Sequence, residues 1–342
     1  TEGTAMRRIR VRLQYLIRRA RKLRPGNLVE FARTVQRVSK APLPVIIADM
    51  LWCSVRYDMA FRDYAVWDIR LLNARERKTW MTHPKSFRIT KMYNTPEGRS
   101  KLEDKRRFAR EYADLLGRET IDLRDVDDAQ LAAFLSRHPR VLAKPNEGHG
   151  GGGIELHEVG PDVDPARFRA EVTAQGQTVL DEFIVQHPEM SALYPDAVNT
   201  VRLITFLDKD DRVHLLAAVL RIGNGDVIDN FASGGMFTML DDEGVALYPG
   251  VDKNSNVYRE HPVTGTPIVG FRVPLYSEVL DLVAALARRT PEAPYVGWDI
   301  AITANGPVVI EGNHNSSVFQ PKPSASGVRT GLLPVYQAAV GF

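Results

Sequence analysis

Asp299, Glu311 and Asn313 lie on two β-branched runs, residues 297–303 (GWDIAIT) and 307–313 (PVVIEGN), joined through Ala304-Asn305-Gly306. A hairpin closed by a three-residue loop, with Gly306 left-handed, sets Asp299 directly opposite Glu311. The same register gathers Ile300, Ile302, Val308 and Ile310 on one face. A two-residue Asn-Gly loop splits them between faces, which burial disfavours. The expected register therefore clusters Asp299, Glu311 and Asn313 on the other face. Two carboxylates and an amide repel one another there without a cation, and hard oxygen donors with open positions suit Mg²⁺ shared between protein and phosphates. On the hairpin alone, the competing reading is a solvated polar sheet face.

Lys144 ends the run VLAK and Pro145 stops it; Gly148, Gly150, Gly151, Gly152 and Gly153 follow before Ile154. Glycines let backbone N–H groups turn toward a phosphate, and a neighbouring lysine adds a point charge. The order differs from the GxxxxGK[ST] loop, because the lysine precedes the glycines. Alone, such a stretch is also read as a flexible turn. Residues 178–190 (TVLDEFIVQHPEM) end an apolar strand in Asp181-Glu182-Phe183-Ile184 and turn through proline to Glu189. This pattern suits a backbone that reads an adenine edge beside a carboxylate on ribose, and equally a buried strand with a polar exit. Arg202 and Arg221 stand among aliphatic residues. Arginine is rarely buried without an anion, so each implies a bound phosphate or a salt bridge to an acidic neighbour. The stretch DNFASGGMFTML adds Asn230 and a tight Gly234-Gly235 pair, consistent with backbone approaching phosphate.

Other chemistries are poorly supported. Cys53 is the only cysteine, which removes intrachain disulfides and cysteine zinc clusters. It lies in an apolar, tryptophan-bearing stretch and reads as core. The eight histidines show neither HExxH nor paired zinc spacing. Ser233 lacks a GxSxG elbow.

The elements that must carry these residues change character along the chain. Residues 6–24 have Ile9, Leu13, Leu16, Ile17 and Leu23 near helical spacing among arginines, a basic amphipathic helix closed by Pro25-Gly26. A second helix is expected over residues 27–39 with Asn27 as its cap. Residues 45–80 are apolar and helical in rhythm, and residues 101–117 read as one strong helix ended by Gly117. Beyond Arg140, short β-branched runs follow at 141–144, 178–184, 200–207, 213–222, 297–303 and 307–313, interrupted by a helix over 275–289. The 342 residues are 44% hydrophobic and 25% charged, enough for two or three packed lobes. Residues 1–40 hold 12 Lys/Arg against Glu2 and Glu30, a net of +10, which leaves −7 on the rest of a chain totalling +3. The basicity belongs to an arm, so no nucleic-acid partner is expected of the body. The arm itself suits an anionic membrane surface or an acidic partner. No apolar run reaches the roughly 18 residues of a spanning helix, and the first residues lack the apolar core of a secretory signal. The expectation is a cytoplasmic protein.

In chain order, Lys105 in LEDKRRF, Lys144 before its glycine loop, the DEFI run, the strand arginines and the final Asp…Glu-x-Asn resemble an ATP-grasp fold. HPVTGTPI (261–268), VGWDIAIT and GPVVIEGN resemble the sugar-transfer-associated ATP-grasp family in particular. The resemblance spans roughly residues 60–320 and implies an α+β architecture: two α+β lobes with mostly antiparallel sheets, preceded by a helical N-terminal region. The implied divisions are an arm (1–40), a helical region (41–100), a small lobe with the glycine loop (101–185) and a C-terminal lobe with the metal site (186–342). It further implies ATP held between lobes and one or two Mg²⁺ ions, with Mn²⁺ as a substitute. Lys105 and Lys144 would meet ATP phosphates under a flap of Gly150, Gly151, Gly152 and Gly153. The Glu182-Phe183-Ile184 run would read adenine through the backbones of Glu182 and Ile184, with Glu189 on ribose. Asp299, Glu311 and Asn313 would hold the metal, and Arg202, Arg221 and Asn230 would face the moving phosphoryl group. The implied activity is carboxylate–amine ligation through an acylphosphate, on small-molecule carboxylate and amine substrates belonging to a cell-surface sugar or specialised metabolite. The alternatives are a small-molecule kinase on the same frame, with His187, His261 or His314 as base, and a nucleotide-binding module without turnover. The N-terminal α/β lobe of many ATP-grasp ligases has no counterpart here; a helical front stands in its place.

Overall fold

The computed structural model describes residues 25–146, 153–224 and 234–341. The expected basic helix over 6–24, and Gly150, Gly151, Gly152 and Asn230, lie outside the described residues. Eleven strands are described: β1 (Thr120–Asp122), β2 (Arg140–Pro145), β3 (Glu155–Glu158), β4 (Gln177–Glu182), β5 (Thr200–Leu207), β6 (Val213–Ile222), β7 (Met236–Met239), β8 (Gly250–Asp252), β9 (Val257–Tyr258), β10 (Tyr295–Thr303) and β11 (Gly306–Asn313). They form two antiparallel sheets, a four-stranded one in the order β1-β4-β2-β3 and a seven-stranded one in the order β11-β10-β5-β6-β7-β8-β9.

The small sheet has its own core. Helices Asp128–Arg137 and Pro165–Ala174 bring Leu131, Phe134, Phe168 and Val172 against Val141, Ala143 and Leu180. The large sheet is covered on both faces. This is why β5 and most of β6 read as continuous apolar runs rather than alternating ones. On one face, Val201, Leu203, Leu220, Trp298 and Ile300 meet Leu102, Phe108 and Tyr112 and the inner side of helix Tyr276–Arg289. On the other, Ile204, Phe206, Val219 and Phe237 meet Tyr64, Trp80 and Met81 of the helical front and Tyr336 of the C-terminal helix. The front is therefore built into the large lobe. Lys322, fully buried, joins Asp68 at 2.6 Å across that seam, and Gln320 accepts from and donates to the Met81 backbone.

Several local expectations are corrected. The first described helix runs Pro25–Ser39, so Asn27 lies inside its first turn rather than capping it. The helix expected over 101–117 is two, Pro96–Glu103 and Lys105–Glu111. The break falls at Asp104, whose extended backbone frees its carboxylate to accept from the amides of Arg106 and Arg107. Both helices bury Leu102 or Phe108 in the large-lobe core.

The late hairpin also closes differently. Its loop has two residues, Ala304 and Asn305, with Thr303 opposite Gly306, which takes φ +130°. Ile300 pairs with Val309 but Asp299 pairs with Glu311, so Ile310 is an extra residue, a β-bulge, on β11. The bulge supplies the offset assigned to the loop and puts Asp299 opposite Glu311. The expected single aliphatic face is split: Ile300, Ile302 and Val309 enter the large-lobe core, whereas Val308 and Ile310 join Ile184 and Ala301. Burial tolerates the split because both faces of this ribbon are covered.

Candidate active site

A cleft of about 1190 Å³ opens between the small sheet, the large sheet and the helical front. Its floor follows from register. Asp299 on β10 is opposite both Glu311 on β11 and Arg202 on β5; Arg221 on β6 is opposite Thr200, one diagonal step from Arg202 on the same face. Four neighbouring strands thus present a row of Glu311, Asp299, Arg202 and Arg221, all of which line the cleft.

Asp299 is 3% exposed and its carboxylate is taken on both oxygens: Arg202 grips it through Nε and Nη2, and Arg221 Nη1 donates to Oδ2 at 2.9 Å. Burial by itself opposes ionisation, yet Arg202 and Arg221 hold this carboxyl below its usual range. Asp299 consequently orients two guanidinium groups. Glu311 is exposed to the cleft and accepts from Asn313 Nδ2 at 3.2 Å, while the same amide reaches the Gly297 carbonyl at 3.4 Å. Among the described residues no three His, Cys, Asp or Glu side chains converge as a metal cage. The oxygen donors that fit a divalent ion are the Glu311 carboxylate and the Asn313 side-chain oxygen, with phosphate oxygens completing the sphere.

The opposite wall belongs to the small sheet. Lys144 reaches across from β2 to the carboxylate of Asp181 on β4, which also accepts from Thr120 Oγ1 at 2.8 Å and lies 3.2 Å from Arg118 Nε. Burial raises the Asp181 pKa, but Arg118 and Lys144 reverse the effect and hold it well below the carboxylate range. Arg118 also donates to the carbonyls of Val309 and Ile310, and the Val309 amide donates to Leu116 O at 3.1 Å. These bonds satisfy the bulged edge and couple Asp181 to β11. Lys105 is half-buried close to this group; burial first, then the charge of Lys144, lowers its pKa, against the pull of Glu311 and Asp181.

The Phe183 and Ile184 side chains line the cleft, with the Arg140 guanidinium 3.7 Å from the centre of the Phe183 ring. The Glu182 amide donates to Glu119 O at 3.0 Å and its carboxylate accepts from Glu119 N at 2.8 Å, so both are engaged inside the small lobe. Glu189 is exposed at the start of helix Pro188–Leu193 and is not on the cleft wall, nor are Lys105, Glu182 and Gly153. Gly153 has φ +75°, and its carbonyl accepts from Gln177 Nε2 at 2.9 Å. The three histidines considered as bases serve elsewhere. His187 accepts from the Glu189 amide, His261 is buried against Gly223 O, and His314 pairs with Glu103.

Asp181, Arg118 and the helical front are site elements for which the motifs alone imply no role. Asp181 sits in the DEFI run, and its position among apolar residues is the available signal. From the front, Arg62, Asp63, Trp67 and His83 reach the cleft. His83 Nδ1 is 3.1 Å from Asp63 Oδ1, and Asp63 Oδ2 accepts from the Ala60 and His83 amides. Edge-on packing of Trp67 on Phe237 and of Phe237 on Phe319, with Arg202 over Phe319, carries this wall to the arginine pair.

A nucleotide-sized cleft between two antiparallel sheets, with lysine on the small-sheet side and a carboxylate–arginine row on the other, defines an ATP-grasp architecture. The sequence profile of the family described as sugar-transfer associated ATP-grasp matches residues 86–328, and the chain belongs to that family. Among solved structures it is similar to the ATP-grasp ligase PsnB complexed with minimal precursor (16% identity, 80% of this chain and 74% of that one, TM-score 0.43). It is also similar to D-alanine–D-alanine ligase from Bacillus anthracis (13%, 73% and 69%, TM-score 0.42) and to a biotin carboxylase–ATP complex from Campylobacter jejuni (14%, 73% and 49%, TM-score 0.45). No curated protein matches it in sequence.

Proposed function

We propose that the chain is an ATP-dependent carboxylate–amine ligase. The observation that carries this reading is the four-strand row of Glu311, Asp299, Arg202 and Arg221 facing Lys144 across one cleft. A carboxylate oxygen of the acid substrate attacks the γ-phosphorus of ATP and the bond to ADP breaks. The amine lone pair then attacks the acyl carbon, phosphate leaves with the C–O electrons, and the amine proton is released. The protein's work is positioning and electrostatic stabilisation. Arg202 and Arg221, aimed by Asp299, meet the charge that develops on the transferred phosphoryl group. Lys144, with Lys105 behind it, neutralises the ATP phosphates. Mg²⁺, held by Glu311 and Asn313 together with those phosphates, would shield their charge. The acid and amine would enter on the side walled by the helical front.

Candidate acids supplied with ATP, Mg²⁺ and hydroxylamine should give hydroxamate and ADP. Glu311→Gln should lower ADP formation at least about 100-fold and leave the melting temperature unchanged, because Glu311 is exposed and, among the described residues, its carboxylate bonds Asn313 alone. ADP with a stable phosphorylated product in place of hydroxamate would replace this reading with the kinase. Nucleotide affinity without turnover in the unaltered protein would leave only the binding module.

A further inference from the structure

Helix Leu43–Arg56 is apolar on both sides. Ile46, Met50 and Cys53 are buried in the core that the helical front builds. Pro44, Val45, Ala48, Leu51, Trp52 and Val55 fall within an arc of about 120° on the opposite side, taking about 100° per residue, and all six are exposed. Trp52 is 60% and Val55 72% exposed. An unbroken, charge-free stripe of this kind on a surface marks a docking face. Helices Pro25–Ser39 and Leu43–Arg56 and the link between them are cationic: Arg33, Arg37, Lys40 and Arg56 are exposed, Glu30 is the one exposed acid among residues 26–56, and Asp49 is held by Arg77 and Arg70. The 24 residues that precede this pair add nine Lys/Arg against Glu2 alone.

We propose that this stripe docks on an anionic phospholipid surface, with Trp52 and Val55 entering the headgroup–acyl boundary and the surrounding cations meeting lipid phosphates. Charge selects this occupant. A second copy would bring like charges face to face. An anionic bilayer satisfies both the apolar stripe and its basic rim. The inference does not depend on the nucleotide cleft or on ligase activity.

The protein carries its own reporter. Of its four tryptophans, Trp67, Trp80 and Trp298 are buried, so Trp52 alone meets solvent. The full chain is mixed with vesicles of phosphatidylcholine alone or of phosphatidylcholine with phosphatidylglycerol. Flotation and tryptophan emission are followed at about 0.1 M and about 1 M salt, Debye lengths of about 10 and about 3 Å. The expected result is binding to the anionic vesicles with a blue shift, quenching of Trp52 by brominated acyl chains, and partial survival at high salt. The double variant Trp52→Glu/Val55→Glu should bind at least about tenfold more weakly with unchanged melting temperature. Binding without any change at Trp52, or no binding to anionic vesicles, overturns the proposal. So does a dimer that the double variant dissociates, or a Trp52 that acrylamide does not reach in the full chain before lipid is added.

Discussion

Asp299 shows how a single carboxylate can be read in two ways. Its sequence neighbours suggested a metal ligand, and the fold gives it two buried guanidinium partners. Removing its charge takes from Arg202 and Arg221, each 8% exposed, the carboxylate that they share. Asp299→Asn should therefore cost about 3–5 kcal/mol of unfolding free energy, measured by denaturant titration. A loss below about 0.5 kcal/mol would mean the arginines are anchored by something else. The contrast with Glu311, where substitution should spare stability and remove turnover, separates the anchor from the group that faces the nucleotide. Cys53 obeys the same logic of surroundings. Buried beside Arg77 and Asp49, its thiol is pushed up to about 12 chiefly by burial, so it is core rather than nucleophile.

The hairpin β10–β11 sets the site through one irregularity. Side chains alternate faces along a strand, so one residue more or less turns everything beyond it over. Ile310 is that residue, and the Arg118 guanidinium holds the carbonyls on either side of the irregularity. Deleting Ile310 should restore a regular ladder in which Glu311 directly follows Val309 and keeps its place opposite Asp299 on the cleft face. Calorimetric titration with Mg²⁺-ATP should then show an affinity within about tenfold of the unaltered chain. Loss of binding in the deletion would show that Glu311 needs the bulge to reach its ligand. The strand limits of β5 and β6 were readable from β-branched runs alone. The bulge was not, because a two-residue loop plus an extra strand residue yields the same pairing at Asp299 as a three-residue loop. The break at Asp104 was missed for a related reason: the helical periodicity continues across it, and only the side-chain cap ends the first segment.

The whole molecule depends on charges removed from water between its layers. Asp181 and Asp299 both ionise more readily folded than unfolded, through Arg118 and Lys144 in one case and Arg202 and Arg221 in the other. A carboxyl with a depressed folded pKa contributes its stabilisation above the unfolded value of about 3.9 and loses it as the pH falls toward the folded value. The melting temperature should thus show no contribution from this pair between pH 7 and about 5, then fall steeply below about pH 4. Asp299→Asn should remove part of that acid dependence. A melting temperature unchanged down to about pH 2 would contradict the assignment. The seam between the helical front and the C-terminal segment is joined by the Asp68–Lys322 pair, 254 positions apart, and by the Gln320–Met81 bonds, 239 apart, in a chain of 342.

Local pattern sufficed for whatever depends on neighbours along the chain: the principal strands, the buried character of Cys53, the arginines that require an anion, and the motif order that resembles ATP-grasp proteins. Periodicity and residue type are short-range properties, and those features are short-range consequences of them. The partner of each charge was not legible, because it is chosen across strands and lobes. Arg202 needed an anion in either reading, but only the antiparallel register put Asp299 there and left Glu311 facing the cleft. The helical front likewise reads only as an apolar helical region in sequence, since nothing in residues 41–100 announces the sheet they cover. Packing made it a wall of the cleft, because a seven-stranded sheet with apolar residues on both faces must have both faces covered.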